Sequence, residues 1–202
     1  VAYAFGDAGA AIKTDNGGAI WQVLNTGGID DFRAAAFTDA QTGFAAGRTG
    51  VVYKTTDGGL SFQKLNTGTT LDLNSIWIPA PGVVLCAGEA GLLLRSNDNG
   101  ATWQMSFPDT VTFNSLYFSD AQQGWMCGAS GTIMKTVNGG STWQKIASGI
   151  TTPISSIHFQ GSIGMAAGYG GVILRSQDGG ASWQQVTSAG DIWYKQTQVV
   201  SA

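Results

Sequence analysis

Apolar and polar positions alternate along this chain in short runs, never in long ones. Ile76, Leu116 and Ile157 alternate at period two with Ile78, Phe118 and Phe159, which predicts strands over Ser75–Ile78, Asn114–Phe118 and Ser155–Phe159. A second run follows each: Gly43–Ala46, Val83–Ala87, Gly124–Cys127 and Ile163–Ala167, with Tyr3–Phe5 as a first copy. A turn of form Gly-x-x-Gly comes next, at Gly6–Gly9, Gly47–Gly50, Gly88–Gly91, Gly128–Gly131 and Gly168–Gly171. Glycine suits such hairpin turns because they call for positive φ. Third strands are expected over Ala10–Lys13, Val51–Lys54, Leu92–Arg95, Thr132–Lys135 and Val172–Arg175.

Each third strand runs into one phrase: Ser or Thr, any residue, Asp or Asn, any residue, Gly, and an aromatic three further on. It occupies Thr14–Trp21, Thr55–Phe62, Ser96–Trp103, Thr136–Trp143 and Ser176–Trp183. Its glycine recurs at Gly18, Gly59, Gly100, Gly140 and Gly180, so the period is 41, 41, 40 and 40 residues. A period near 40 with short strands and Gly-rich turns predicts an all-β chain, a β-propeller of four-stranded blades in a single domain over residues 1–202. Five copies predict five blades. The chain opens on a second strand, and Lys195–Ala202 aligns with a first strand, since Val199 follows Trp183 by the same sixteen residues as Phe159 follows Trp143. Antiparallel pairing of Lys195–Ala202 with Val1–Phe5 is therefore expected to close the ring and hide its edges.

In the repeated phrase, Asn16, Asp57, Asp98, Asn138 and Asp178 are expected to accept amide hydrogen bonds within their own turns, with the aromatic sealing the turn from below. Two of the five carry Asn and none has a second carboxylate near in sequence, so the phrase is a turn lock and no metal is expected. The phrase resembles the BNR or Asp-box repeat, Ser/Thr-x-Asp-x-Gly-x-Thr-Trp, which Ser96–Trp103 matches in full and Ser176–Trp183 matches with Ser182 for Thr. The wider stretch from Gly124 through Thr136 and on to Trp143 resembles the photosystem II assembly and stability factor family. That resemblance implies a non-enzymatic assembly propeller with a protein partner. Similar propellers occur in exported bacterial proteins, which implies an extracytoplasmic location. A chain that begins at Val1 fits either a removed leader or a segment of something longer.

Composition narrows the chemistry further. Charged residues are 11% of the chain and the net charge is −3, which disfavours a nucleic-acid surface or an anionic membrane. Apolar residues at 43% suffice for a core, and no run reaches the length of a spanning helix. Cys86 and Cys127 fall on opposite faces of equivalent strands, poorly placed for a bridge. His158, the only histidine, removes His-rich metal sites and His-assisted nucleophiles, and its register between blades predicts packing. No cofactor is implied.

Asp-boxes also occur in sialidases, which resemble one another in a clamp of three arginines. Arg95 and Arg175 share their repeat position with Lys13, Lys54 and Lys135, which leaves only Arg33 and Arg48. Other glycosidases need two facing carboxyls, and Glu89 is the only Glu, with Asp30, Asp31 or Asp191 as conceivable partners. A glycan-binding or glycosidase-derived module is the alternative to a protein-binding scaffold. The Gly-x-x-Gly tips and the linkers into the next first strand share one end of each blade, and there the side chains break the repeat. Arg48, Glu89 and Tyr169 on tips, with Trp193 and Tyr194 on the last linker, are the candidate binding residues. Trp21, Trp103, Trp143 and Trp183, as box aromatics, are expected in the core.

Overall fold

The computed structural model describes residues 1–186, 190 and 192–200. They form two compact units, Val1–Glu89 with Leu93–Ser106 and Ala90–Leu92 with Phe107–Ala202. The first unit holds three sheets. Sheet 1 is β1 (Ala2–Phe5), β2 (Ala11–Thr14) and β3 (Gln22–Val23); sheet 2 is β4 (Phe32–Phe37), β5 (Gly43–Gly47), β6 (Val52–Thr55) and β7 (Gln63–Leu65). Sheet 3 is β8 (Leu73–Ala80), β9 (Val83–Gly88), β10 (Leu93–Ser96) and β11 (Gln104–Ser106). In the second unit, sheet 4 is β12 (Phe113–Phe118), β13 (Gly124–Gly128), β14 (Ile133–Thr136) and β15 (Gln144–Ile146). Sheet 5 is β16 (Ile154–Gln160), β17 (Ile163–Gly168), β18 (Ile173–Ser176) and β19 (Gln184–Val186). Each is an antiparallel meander in chain order, as the alternation predicts.

One turn lock repeats through all five sheets. The hydroxyl of Thr14, Thr55, Ser96, Thr136 or Ser176 accepts the N–H of the box glycine four residues on, at 2.8–3.0 Å. The same hydroxyl donates to the Asp or Asn oxygen two residues on, and that oxygen accepts the amide four further, as from Thr102 to Asp98 at 2.8 Å. The end of the third strand and the turn into the fourth are thereby fixed to one another. Glycine is required at the centre because a neighbouring sheet presses on it: a Cβ on Gly100 would meet Leu65 and Phe44 of sheet 2, and one on Gly180 would meet Trp125 and Phe159. In sheet 4, Trp125 stacks on Phe159 of sheet 5 at 3.8 Å, and Phe159 meets Trp183 edge-on at 5.6 Å.

The recurring cation on the third strand is a clip. Lys54 lies 5.5 Å from the Phe44 ring centroid and donates to Asn99 O of the sheet 3 box at 3.0 Å. Lys135 lies likewise over Trp125 and donates to Gly179 O of the sheet 5 box at 2.7 Å. Each cation thus binds an aromatic face on its own sheet and a turn carbonyl on the next. Arg175, at the same position in sheet 5, is exposed.

Several expectations need correction. The first glycine of each Gly-x-x-Gly turn is extended, not left-handed; Gly47 has φ −165°. It is glycine because the linker carbonyl of Asp31 lies where a Cβ would be, as Asp72, Thr112 and Pro153 do for Gly88, Gly128 and Gly168. The left-handed positions are the last two of the turn, Thr49 and Gly50 in sheet 2. Trp21 is 43% exposed against 8% for Trp183, so the first box aromatic is no core residue. Within the first unit β1 pairs with β2. Within the second, residues 192–200, part of the segment expected to pair with Val1–Phe5, bond to β16, β17 and the turn after it; Ser201 and Ala202 lie outside the described residues. Cys86 and Cys127 are buried, unbridged and pushed far up in pKa by that burial.

Acid should discriminate the boxes. Hydrogen bonds from Thr102 first, then Ser96, hold the Asp98 carboxyl down to about 2, and Ser61 with Thr55 does the same for Asp57. A carboxyl depressed by folding stabilises the fold above its unfolded value near 4, and that contribution is lost as pH falls through about 2. Amide signals of Ser61 and Thr102 are expected to move as pH falls through about 2, and that of Ser182, whose Asp178 is held lower still, to move later, while those of Ile20 and Thr142, held by Asn16 and Asn138, stay put. Equal movement of all five in an NMR titration would contradict the assignment.

Candidate docking surface at the turn and linker end

The two ends of each sheet are built differently. At one end the box turn is bonded to the hairpin between first and second strands, as in Gly58 N–H to Gln41 O and Gly179 N–H to Ser162 O, both 2.9 Å. At the other, the tip turn is bonded to the linker: Arg48 N–H to Asp31 O, Glu89 N–H to Asp72 O, Ala129 N–H to Thr112 O and Tyr169 N–H to Pro153 O. These bonds use only backbone, so the side chains at that end vary freely. Sequence reasoning put tips and linkers together, and within each unit they are together.

In the first unit this end is a closed ion network. Asp72 takes Arg33 at 2.7 Å and the N–H of Thr49 at 2.9 Å, with Arg48 at 4.0 Å; Arg33 also donates to Asn74. Asp31 accepts the Ala8 N–H at 2.8 Å and meets Arg48 at 3.6 Å. Asp31 and Asp72 therefore cap the left-handed residues Ala8 and Thr49, a role sequence reasoning missed. The signal was available: an Asp directly before the first-strand Phe32 and Leu73. Glu89 accepts the Asp72 N–H through Oε2 at 3.2 Å. Asp30 is bound by Lys64 at 2.8 Å and Tyr53 at 2.6 Å, which hold its carboxyl below the usual range, Lys64 foremost. Burial, then Asp30, pushes the Tyr53 hydroxyl up to about 12. Asp191 lies outside the described residues. No group of three or more possible metal ligands occurs among the described residues.

The second unit carries aromatics at that end. Tyr169 and Trp193 are stacked with centroids 4.3 Å apart and remain 43% and 46% exposed. The Lys195 ammonium lies 4.5 Å from the Trp193 centroid; a stack this tight leaves it only the opposite face. Trp193 Nε1 donates to Ser155 Oγ at 2.8 Å. Trp193 is thus clasped on both faces and tethered, and it offers its rim. Tyr169 and Trp193 occupy the repeat positions of Arg48 and Asp72, so an aromatic stack here replaces an ion pair.

Tyr194 needs a correction. It does not stand outside the repeat: its N–H bonds Gly168 O at 3.0 Å, as Phe32 N–H bonds Gly6 O at 3.1 Å, which puts it at the head of a first strand. It is half-buried and structural. His158 packs as expected, with its ring 4.6 Å from Tyr117 and Nδ1 accepting the Val199 N–H; burial lowers its pKa. No helix among the described residues is long and apolar enough to cross a membrane.

Solved structures share this architecture. An ancestral GH74 enzyme superposes with TM-score 0.78 at 20% identity over 95% of this chain and 30% of its own. YCF48 from Cyanidioschyzon merolae gives 0.71 at 17% over 95% and 69%, and the GH74 xyloglucanase from Xanthomonas campestris 0.73 at 17% over 94% and 37%. The chain therefore has the fold of a β-propeller, and it spans under a third of the ancestral enzyme's length. A family model described as photosynthesis system II assembly factor YCF48 matches residues 104–193. The chain is a BNR-type propeller resembling that assembly factor. No curated protein matches it in sequence.

The ion network predicts a split in stability. Asp72→Ala leaves the Thr49 amide without its acceptor and Arg33 with Asn74 alone, and should cost about 1–3 kcal/mol. Arg48→Ala, at an exposed rim contact, should stay within about 0.5 kcal/mol. Denaturant melts of the two variants that came out equal would refute the capping role of Asp72.

Proposed function

We propose that this chain is a non-enzymatic scaffold propeller, built of five blades, that docks a protein partner at the turn and linker end of its fifth sheet. The observation that carries the reading is the Tyr169–Trp193 stack. In the first unit the side chains at that end satisfy one another as ion pairs; here large aromatic surface stays open to solvent. Because the pair is already clasped by Lys195 and Ser155, little rotamer freedom remains to be lost on binding. The likeness to an assembly factor supports a protein partner. Arg48 and Glu89 lie at the turn and linker end of the first unit.

The alternative, a glycan-binding or glycosidase-derived module, draws on the GH74 likeness and on the same aromatics, since a sugar face also suits an exposed ring. Hydrolysis would need two carboxyls free to act across a glycosidic bond. Glu89 accepts a backbone amide, and Asp72 caps another and binds Arg33.

The test is capture of a partner by immobilised protein, compared with Tyr169→Ala plus Trp193→Ala; Tyr194 is left intact because it holds the tail in register. Losing a true anchor pair should weaken binding by about 2 kcal/mol or more, thirtyfold in Kd. Undiminished capture by a normally melting double variant moves the site elsewhere. Turnover of a glycoside or sialoside, lost on Glu89→Gln, would overturn the non-enzymatic reading.

A further inference from the structure

The tip turns of sheets 2 and 4 share one geometry and differ in their partners. Thr49 stands at φ 53°, ψ 30° and Ser130 at φ 55°, ψ 32°, each followed by a left-handed glycine, Gly50 or Gly131. In sheet 2 the Asp72 carboxylate accepts the Thr49 N–H at 2.9 Å, and in sheet 1 Asp31 does the same for Ala8 at 2.8 Å. Both acids stand directly before a first strand. Before β16 that place is held by Pro153, which has no carboxylate, and no bond from the Ser130 N–H is formed among the described residues. Sheet 4 thus presents a turn of the same shape as sheet 2 with its anion position open.

Nothing nearby makes up for the missing acid. Asp109 is the only carboxylate among the described residues at this end of the second unit, and Lys145 holds it at 2.7 Å. Ser130 and Lys145 border a hollow of about 440 Å³ whose apolar lining includes Ile146 and Ile150, both half-buried. Its linker wall ends at Thr151, two residues before Pro153, whose carbonyl accepts the Tyr169 N–H at 3.1 Å. The linker that walls the hollow therefore leads to the aromatic pair. All of these residues belong to the second unit.

We propose that the Ser130 tip receives an aspartate of the docked protein partner, whose carboxylate accepts the Ser130 N–H beside Lys145 while the apolar residue next to it enters the hollow against Ile146 and Ile150. The inference rests on the docking reading above and adds the partner's chemistry: an acidic residue followed by an apolar one. A turn that aims a backbone N–H outward favours an anion, and a carboxylate makes a stronger bond to it than a neutral acceptor does. The chain's own linkers display the pattern, with Asp31 followed by Phe32 and Asp72 by Leu73. A basic or wholly apolar segment is the wrong ligand.

The probe is a peptide with blocked ends and the sequence of residues 69–74, Thr-Thr-Leu-Asp-Leu-Asn, titrated into the isotope-labelled full chain. The Ser130 amide signal is expected to move downfield and saturate, while that of Thr49, whose cap is already in place, stays put. The same peptide with Asn for Asp should bind about tenfold more weakly or worse. Pro153→Asp gives the tip a cap of the chain's own: the Ser130 amide should then stand downfield without peptide, and the peptide response should fall about tenfold. No movement at Ser130, equal responses to the Asp and Asn peptides, or equal movement of Thr49 and Ser130 would each overturn the proposal, and these arms need no variant to fold. So would an undiminished response in a Pro153→Asp protein whose Ser130 amide has already moved. Failure of the aromatic anchor shows separately, as partner capture indifferent to loss of Tyr169 and Trp193.

Discussion

Everything in this fold hangs on a hydroxyl that binds a glycine amide four residues away. Ser96 and its four counterparts end the third strand and fix the turn, and so fix where the bare glycine stands. That glycine is the contact point between sheets: Phe44 and Leu65 press on Gly100, and Trp125 presses on Gly180. The third-strand lysine then crosses to a carbonyl of the same turn, from Lys135 to Gly179. Lock, packing contact and cation clip all converge on eight residues, which is why that phrase recurs with so little variation. A side chain at the glycine would clash with a neighbouring ring; an apolar residue at the hydroxyl would strand a buried amide.

The opposite end of each sheet is under a different constraint. There backbone hydrogen bonds join tip and linker in every sheet where the glycine faces a linker carbonyl. Asp31, Asp72 and Glu89 add side-chain caps in the first unit, and the other side chains answer to their local neighbours. The first unit fills that freedom with Arg33, Arg48, Asp31 and Asp72, which neutralise one another. The second unit fills it with Tyr169 and Trp193, which hold each other but leave their rims in water. A rigid frame at one end and a tolerant surface at the other is the physical basis for placing recognition on the tolerant one.

The repeat made the sheets legible because each strand, turn and box carries a residue type that geometry demands. Less legible were contacts whose partner lies a fixed but long distance away. In the sequence Asp31 reads only as a conceivable partner of Glu89 and Asp72 is not singled out, yet each caps an amide 23 residues earlier. Tyr194 read as an outlier because a polar tail follows it; only its bond to Gly168 reveals the first-strand register. Trp193 was recognisable as an unusual exposed aromatic, but its clasp by Tyr169 and Lys195 depends on side-chain direction, which no spacing encodes. The tail, expected as a first strand, runs along its neighbour β16 through hydrogen bonds to Ser156 and His158.

The dependence of the fold on its box glycines is tested most directly by native-state hydrogen exchange. Gly59, Gly100, Gly140 and Gly180 sit in loops by position but donate to a buried hydroxyl. Their amides should exchange only through global unfolding, with the same denaturant dependence as strand amides such as those of Ala45 and Ala166. Exchange of these four at the rate of linker glycines such as Gly68 and Gly149, independent of denaturant, would show that the turn opens on its own and that the sheets do not depend on it.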